Sequence, residues 1–328
     1  MRLAVIGGGA WGTALGIVAR RAGSVPILWA HNPDVVEAIN ERHENPFYLP
    51  GVTLDPQIVA TADINRAVAE ADAALLVVPA QFMRAAIDII RPSLRAGLRV
   101  LLCAKGIETV SLKIMSEVYA EIVPGAPIAV LSGPSFAAEV ACDLPTAVTV
   151  ASHDAALARA FVKGLGSTRF RPYLSDDPIG VEIGGAVKNV LAIACGIVIG
   201  RGLGDNARAS LITRGLAEMV RLGRAKGGRD ETFRGLSGLG DLVLTCNATQ
   251  SRNFTLGLAL GRGHELRAAL SGRRSVVEGV ATAAAVAALA RQLRVEMPIS
   301  EAVEAVLHRN AAIDEMIESL LRRPFRTE

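Results

Sequence analysis

The sequence predicts an α/β chain in two halves: a doubly wound, mostly parallel sheet over residues 1–178, then an all-α half over residues 179–328. Three observations carry this reading. Short apolar runs alternate with helical windows as far as Pro178. The first of those runs leads straight into three closely spaced glycines and a helix. Beyond Pro178, helical windows separated by Gly-rich breaks remain, with no convincing strand. A length of 328 residues suits about two such units with a large core.

The stretch Val5-Ile6-Gly7-Gly8-Gly9-Ala10-Trp11-Gly12-Thr13-Ala14 organises the rest. Residues 3–6 are apolar with two β-branched members, as a buried parallel strand requires. A helix is expected over 14–22, which leaves the glycines in the turn between. Gly7 permits the tight turn, Gly9 lets a pyrophosphate approach the backbone, and Gly12 lets the helix pack closely on the strand. The N–H groups and positive dipole end of that helix favour a phosphate. A Rossmann-type, dinucleotide-binding sheet follows.

Composition narrows the possibilities. Half the residues are apolar (51%), a fifth are charged, and the formal net charge is +3. No more than two basic residues are adjacent, which argues against a nucleic-acid stripe. Lysine is scarce, five among 35 basic residues, so each lysine deserves a reason. Cys103, Cys142, Cys195 and Cys246 lie far apart without C-x-x-C spacing or a nearby histidine. They read as reduced core cysteines of a cytoplasmic protein, with no metal site. A first strand starting at residue 2 leaves no room for a signal peptide. The most lipid-like run, residues 190–200, is far short of the roughly 20 residues a span needs, so it is expected to be a buried helix and not a membrane span.

Along the chain, residues 26–30 form the second strand. Its end is where an acidic residue would hold the ribose hydroxyls and repel a 2′-phosphate. Here stand Ala30, His31 and Asn32. His31 can donate to a phosphate, or it can merely cap the strand while Asp34 accepts from the ribose. Use of both NAD and NADP is expected, leaning toward NADP. Residues 41–57 contain Pro46, Pro50, Gly51 and Pro56 and read as a long irregular loop. Strands are expected at 73–78, 98–104 and 128–131, with 146–151 and 168–173 extending the sheet. Ligands bind beyond the carboxyl ends of such strands. Pro79-Ala80-Gln81-Phe82, Lys105-Gly106 and Ser132-Gly133-Pro134-Ser135-Phe136-Ala137 follow three of those ends.

In the helical half, Gly184-Gly185-Ala186-Val187-Lys188-Asn189 lies within an apolar helix over 181–199. Lys188 shares a face with Gly184, Gly185, Leu191 and Ala192. An isolated buried ammonium is prohibitively costly, so it either snorkels to water or faces the cofactor crevice. In the crevice, burial would lower its pKa and suit it to proton transfer. Asp241, in Gly238-Leu239-Gly240-Asp241-Leu242, is either a helix cap or a carboxylate that pairs with Lys188 or accepts from substrate hydroxyls; spacing does not choose. Ser251 is a plausible N-cap, placing Arg252 and Asn253 where a guanidinium fork and N–H groups suit a phosphate. Glu278, just before Gly279, is either an anchor for the nicotinamide end or a solvated loop acid.

Taken together, these strings, with Ala104-Lys105-Gly106, resemble the NAD(P)-dependent sn-glycerol-3-phosphate dehydrogenases from residue 1 to about 310. The last residues, 322–328, carry no motif. The resemblance implies reversible hydride transfer between NAD(P)H and dihydroxyacetone phosphate, giving sn-glycerol 3-phosphate for glycerophospholipid synthesis. It makes Lys188 and Asp241 the catalytic groups. Lys105, Gly133, Ser135, Ser251, Arg252 and Asn253 would hold the substrate beside them. Ala10, Trp11, His31, Lys105, Ala137, Ser251, Arg252, Val276 and Glu278 would join Gly7, Gly9 and Gly12 around the cofactor. His31 departs from the arginine often found at its position in the family. The Arg- and Ala-rich helical half offers surface for a homodimer. Two rivals remain: a β-hydroxyacid dehydrogenase of the same build, whose planar anion needs no extra phosphate donors, and a nucleotide-sensing regulator, which would lack Lys188 or Asp241.

Overall fold

The structure is a computed structural model describing residues 1–324 apart from residues 96 and 273; the end of the motif-free tail, 325–328, lies outside it. Eight strands form one sheet in the order β10-β9-β8-β7-β6-β1-β2-β5. They are β1 (Arg2–Ile6), β2 (Val25–Trp29), β5 (Val59–Thr61), β6 (Ala73–Leu76), β7 (Arg99–Leu102), β8 (Ile128–Ser132), β9 (Thr146–Ala151) and β10 (Phe170–Ser175). Pairing is parallel throughout except between β8 and β9. Every residue of β6 is buried, as the middle of a sheet covered on both faces requires. One apolar cluster packs on each face.

Connections run outward in opposite directions from β1, whose neighbours are β2 and β6. A crevice opens at such a reversal, beyond the carboxyl ends of the strands. The turn after β1 and the ends of β6, β7 and β8 all lie along that edge.

The stretch expected as an irregular loop instead holds a two-stranded antiparallel sheet, β3 (Glu44–Asn45) with β4 (Leu49–Thr53). Pro50 and Gly51 stand within β4 and mask it as a turn. The physical reason it persists is anchorage: Leu49 is buried, and buried Asn45 donates from Nδ2 to the Gly8 carbonyl at 2.9 Å and to Thr13 Oγ1 at 2.8 Å. Cys142 also departs from expectation. It is exposed, whereas Cys103, Cys195 and Cys246 are buried.

After β10 the described chain is helical. Asp177 caps the central helix (Pro178–Gly200), its Oδ1 accepting from the Gly180 amide at 2.9 Å, with Pro178 at the first position. This helix is long and apolar enough to cross a membrane, but 89% of its apolar window is buried inside the fold. Its apolarity serves packing against the helices Gly204–Lys226, Asp241–Asn247, Arg252–Gly261 and Glu278–Leu293. One crossing is backbone on backbone. A Cβ on Gly196 would lie 2.1 Å from the Phe254 carbonyl oxygen, and one on Gly257 would lie 2.0 Å from that of Ile193. Any side chain at either position would push the helices apart.

Candidate active site

The glycine turn builds its site from backbone. Gly7 leaves β1 at φ +132°, in glycine territory, and a Cβ there would meet the Val77 and Val78 backbone at 3.0 Å. A Cβ on Gly12 would lie 1.8 Å from the Gly7 carbonyl oxygen, whereas the space beside Gly9 is open. The helix Ala10–Arg21 therefore starts hard against β1, with room before its first N–H groups. That cradle fits a dinucleotide pyrophosphate. Ala10 and Trp11 form the helix's first turn, and Trp11 packs against the sheet core. His31 is exposed just past β2. The helix cap beside it is Asn32, which accepts from the Asp34 amide at 2.9 Å.

A second site, built from side chains, lies at the ends of β7 and β8 against the central helix. Lys188 Nζ donates to Asp241 Oδ1 at 2.8 Å and to Thr245 Oγ1 at 2.9 Å. The Thr245 hydroxyl donates in turn to Asp241 Oδ1 at 3.2 Å. From the sheet, Lys105 Nζ donates to Asp241 Oδ2 and to the Gly133 carbonyl, both at 2.8 Å. Ser135 Oγ donates to that same carbonyl at 2.9 Å. One carboxylate thus joins two ammonium groups from the two halves of the chain. Asp241 is a partner of Lys188, and its side chain makes no helix cap. It stands just after a single π turn, Leu236–Gly240, a distortion frequent at functional sites.

The trio carries two positive charges and one negative, leaving one net positive charge to receive an anion. Burial pushes Lys188 down to about 8; the Lys105 charge adds to this, against the pull of Asp241. Burial would raise Asp241, but the ammonium groups of Lys105 and Lys188 outweigh it and hold the carboxyl below its ordinary range.

A chain of amides runs outward from this cluster. Asn189 Nδ2 donates to the Lys105 carbonyl at 3.1 Å, and Asn253 Nδ2 donates to Asn189 Oδ1 at 2.8 Å. Asn253 Oδ1 accepts from the Gly279 amide at 3.0 Å. Both ends of the Asn253 side chain are therefore engaged within the protein. Ser251 caps its helix through Phe254 N at 3.2 Å, which leaves Arg252 exposed in the first turn.

Glu278 is no solvated loop acid. It opens the helix Glu278–Leu293, and its Oε1 accepts from the Ala80 amide at 3.3 Å. Its Oε2 is buried with no hydrogen-bond partner among the described residues. Burial pushes this carboxyl up to about 7, against that bond and the charge of Arg252. An orphaned buried carboxyl oxygen beside the Lys105-Gly106 turn suits an amide-bearing ring placed there. Ala137 opens the helix Ala137–Ala141, and Val276 is exposed just before Glu278. Neither these two nor His31 is drawn into the hydrogen-bonded cluster.

Comparison with known proteins decides the family. Residues 2–158 match the profile described as NAD-dependent glycerol-3-phosphate dehydrogenase N-terminus, and residues 177–318 match its C-terminus. The chain belongs to this dehydrogenase family. It is 58% identical over 326 residues to the glycerol-3-phosphate dehydrogenase [NAD(P)+] of Rhodospirillum rubrum, covering 99% of this chain and 93% of that protein. With the Caulobacter vibrioides protein of the same name it is 57% identical over 327 residues, covering 100% and 98%. The crystal structure of glycerol-3-phosphate dehydrogenase from Coxiella burnetii superposes with a TM-score of 0.95 at 41% identity, covering 98% of this chain and 99% of that one. An NAD(P)-dependent dehydrogenase of this family therefore carries both sites described above.

Two residues of the hydrogen-bonded cluster escaped the sequence reading. Thr245 stands four residues after Asp241, on the same helix face, and that spacing was its one available signal. Asn189 was visible beside Lys188, but only the fold brings it to the Lys105 carbonyl.

Proposed function

We propose that this dehydrogenase reversibly reduces dihydroxyacetone phosphate to sn-glycerol 3-phosphate with NADPH or NADH. The observation that carries the reading is Asp241 shared by Lys105 and Lys188, 2.8 Å from each, at the sheet edge where the glycine turn opens. When bound, the nicotinamide supplies the hydride.

The chain's own residues do the rest. An ammonium has three N–H groups. Lys188 commits two, to Asp241 and Thr245, leaving the third to polarise the ketone oxygen and give it a proton as the alkoxide forms. Asp241 and Thr245 aim that proton. Lys105 likewise commits two N–H groups and offers its third to the substrate. Arg252, with the first-turn N–H groups of its helix, takes the phosphate end. Binding energy from that remote anion then fixes the reacting geometry. Glu278 would accept from or donate to the carboxamide end of the cofactor, and the turn formed by Gly7, Gly9, Ala10, Trp11 and Gly12 would hold its pyrophosphate. The absence of an acid at His31 favours NADPH without excluding NADH.

The reading extends to glycerol phosphate supply for glycerophospholipid synthesis, in the cytoplasm, by a homodimer; the likeness to the family supports it. The test compares reduction of dihydroxyacetone phosphate with reduction of β-oxoacids, the oxidised partners of β-hydroxyacids, using NADPH and NADH in turn. Turnover of the phosphate ester with both cofactors is expected. Turnover of the β-oxoacids alone, or binding without turnover, would overturn the reading.

A further inference from the structure

We propose that Gln81 is a positioning residue for the reaction, holding the loop that carries Lys105 in register with the cofactor side of the cleft. Gln81 lies in the one-turn 3₁₀ helix Ala80–Phe82 that follows β6. Its Nε2 donates to the Ile107 carbonyl at 2.8 Å. Its Oε1 accepts from the Thr109 amide at 3.0 Å and from the Thr109 hydroxyl at 2.9 Å. All three bonds go to the segment directly after Lys105-Gly106. Arg84, one turn further on, reinforces them with paired bonds of 2.9 and 2.8 Å to the two carboxylate oxygens of buried Glu108.

The other side of the same turn faces Glu278, the residue proposed to meet the carboxamide end of the cofactor. The Ala80 amide donates to Glu278, and a Cβ on Gly106 would lie 2.7 Å from the Ala80 side chain. One short turn therefore holds both the segment that follows Lys105-Gly106 and the Glu278 carboxyl. Lys105 reaches the cluster from this loop, its carbonyl on Asn189 and its ammonium on Asp241. Without Gln81, the Ile107 carbonyl and the Thr109 amide lose their partner and the loop must find others. Lys105 Nζ then withdraws from Asp241. The ionisable groups facing Lys188 are Asp241, Lys105 and the Cys246 thiol. Loss of the Lys105 charge, and of its hold on Asp241, both strengthen the charged form of Lys188, so its titration moves to higher pH.

This inference rests on the roles proposed for Lys105 and Lys188, so Lys105→Ala is measured beside it. The main variant is Gln81→Met, which keeps the shape and removes all three bonds. Expected is a loss of ketone-reduction kcat of roughly 10- to 100-fold, with a smaller change in cofactor KM. The alkaline limb of the pH profile should move upward, as it does in Lys105→Ala. Turnover within about twofold of the parent, or a loss with the alkaline limb unmoved, overturns the inference while Lys105→Ala still collapses activity. A Lys105→Ala enzyme with parental turnover overturns both the site reading and the inference. Should Gln81→Met not fold, Gln81→Glu keeps the acceptor for Thr109 and changes only the donor to Ile107. Its turnover relative to the parent should then rise as pH falls and the new carboxyl gains a proton to donate; a flat ratio overturns the proposal.

Discussion

The glycine turn after β1 and the lysine cluster after β7 and β8 share one sheet edge, yet they are made of opposite materials. The turn is backbone: Gly7, Gly9 and Gly12 contribute by having no side chain, and no titrating group is needed to hold a pyrophosphate there. The cluster is side chain: two ammonium groups on one buried carboxylate, with Lys188 and Asp241 both shifted by their burial and by the charges beside them. The difference separates binding from chemistry. The grip on the pyrophosphate should answer to volume and barely to pH, whereas turnover should answer to pH and to single charges.

Substitutions can break that division, and the largest effect belongs to the cluster. Lys188→Met should lower kcat by roughly 10²- to 10⁴-fold, the usual contribution of a general acid, while the cofactor dissociation constant, read by protein fluorescence, stays near the parent's. An equal loss of cofactor affinity would mean that the two sites are not separable. Next comes Gly12→Ala. Its new methyl would fall 1.8 Å from the Gly7 carbonyl oxygen, and relief of such a clash costs about 1–3 kcal/mol. Cofactor KM should rise by a corresponding factor, with the pH profile of the residual activity unchanged. The smallest effect is expected at exposed Arg252. Arg252→Ala should raise the KM for dihydroxyacetone phosphate roughly tenfold, the low end for a hydrogen bond to a charged group, and leave kcat nearly intact. A fall in kcat with KM preserved would place Arg252 in the chemistry instead.

The same contrast explains what could be read from the sequence. A glycine turn announces itself because its requirement is local: strand, turn and helix lie within some twenty residues. Lys188 is legible because a charged residue inside so apolar a helix demands a reason. Asp241 stayed ambiguous because its partners are 53 and 136 residues away, and only the fold shows which of its two options is used. Thr245 and Asn189 are ordinary polar residues whose worth comes from what the fold sets beside them. The β3–β4 hairpin was hidden behind Pro46, Pro50 and Gly51, since the anchor that steadies it, Asn45 on the Gly8 carbonyl, is a long-range contact. The order of the sheet, including the antiparallel step between β8 and β9, likewise depends on pairings that no local pattern encodes.

The central claim is that one buried amine, that of Lys188, carries the proton in both directions. The direct measurement is the pH dependence of kcat/KM for ketone reduction and for alcohol oxidation in the free enzyme. With Lys188 titrating at about 8, reduction needs its protonated form and should fall as pH rises through that value. Oxidation needs the neutral amine and should rise across the same range. Two limbs of the same sign, or opposite limbs that persist in Lys188→Met, would contradict the account.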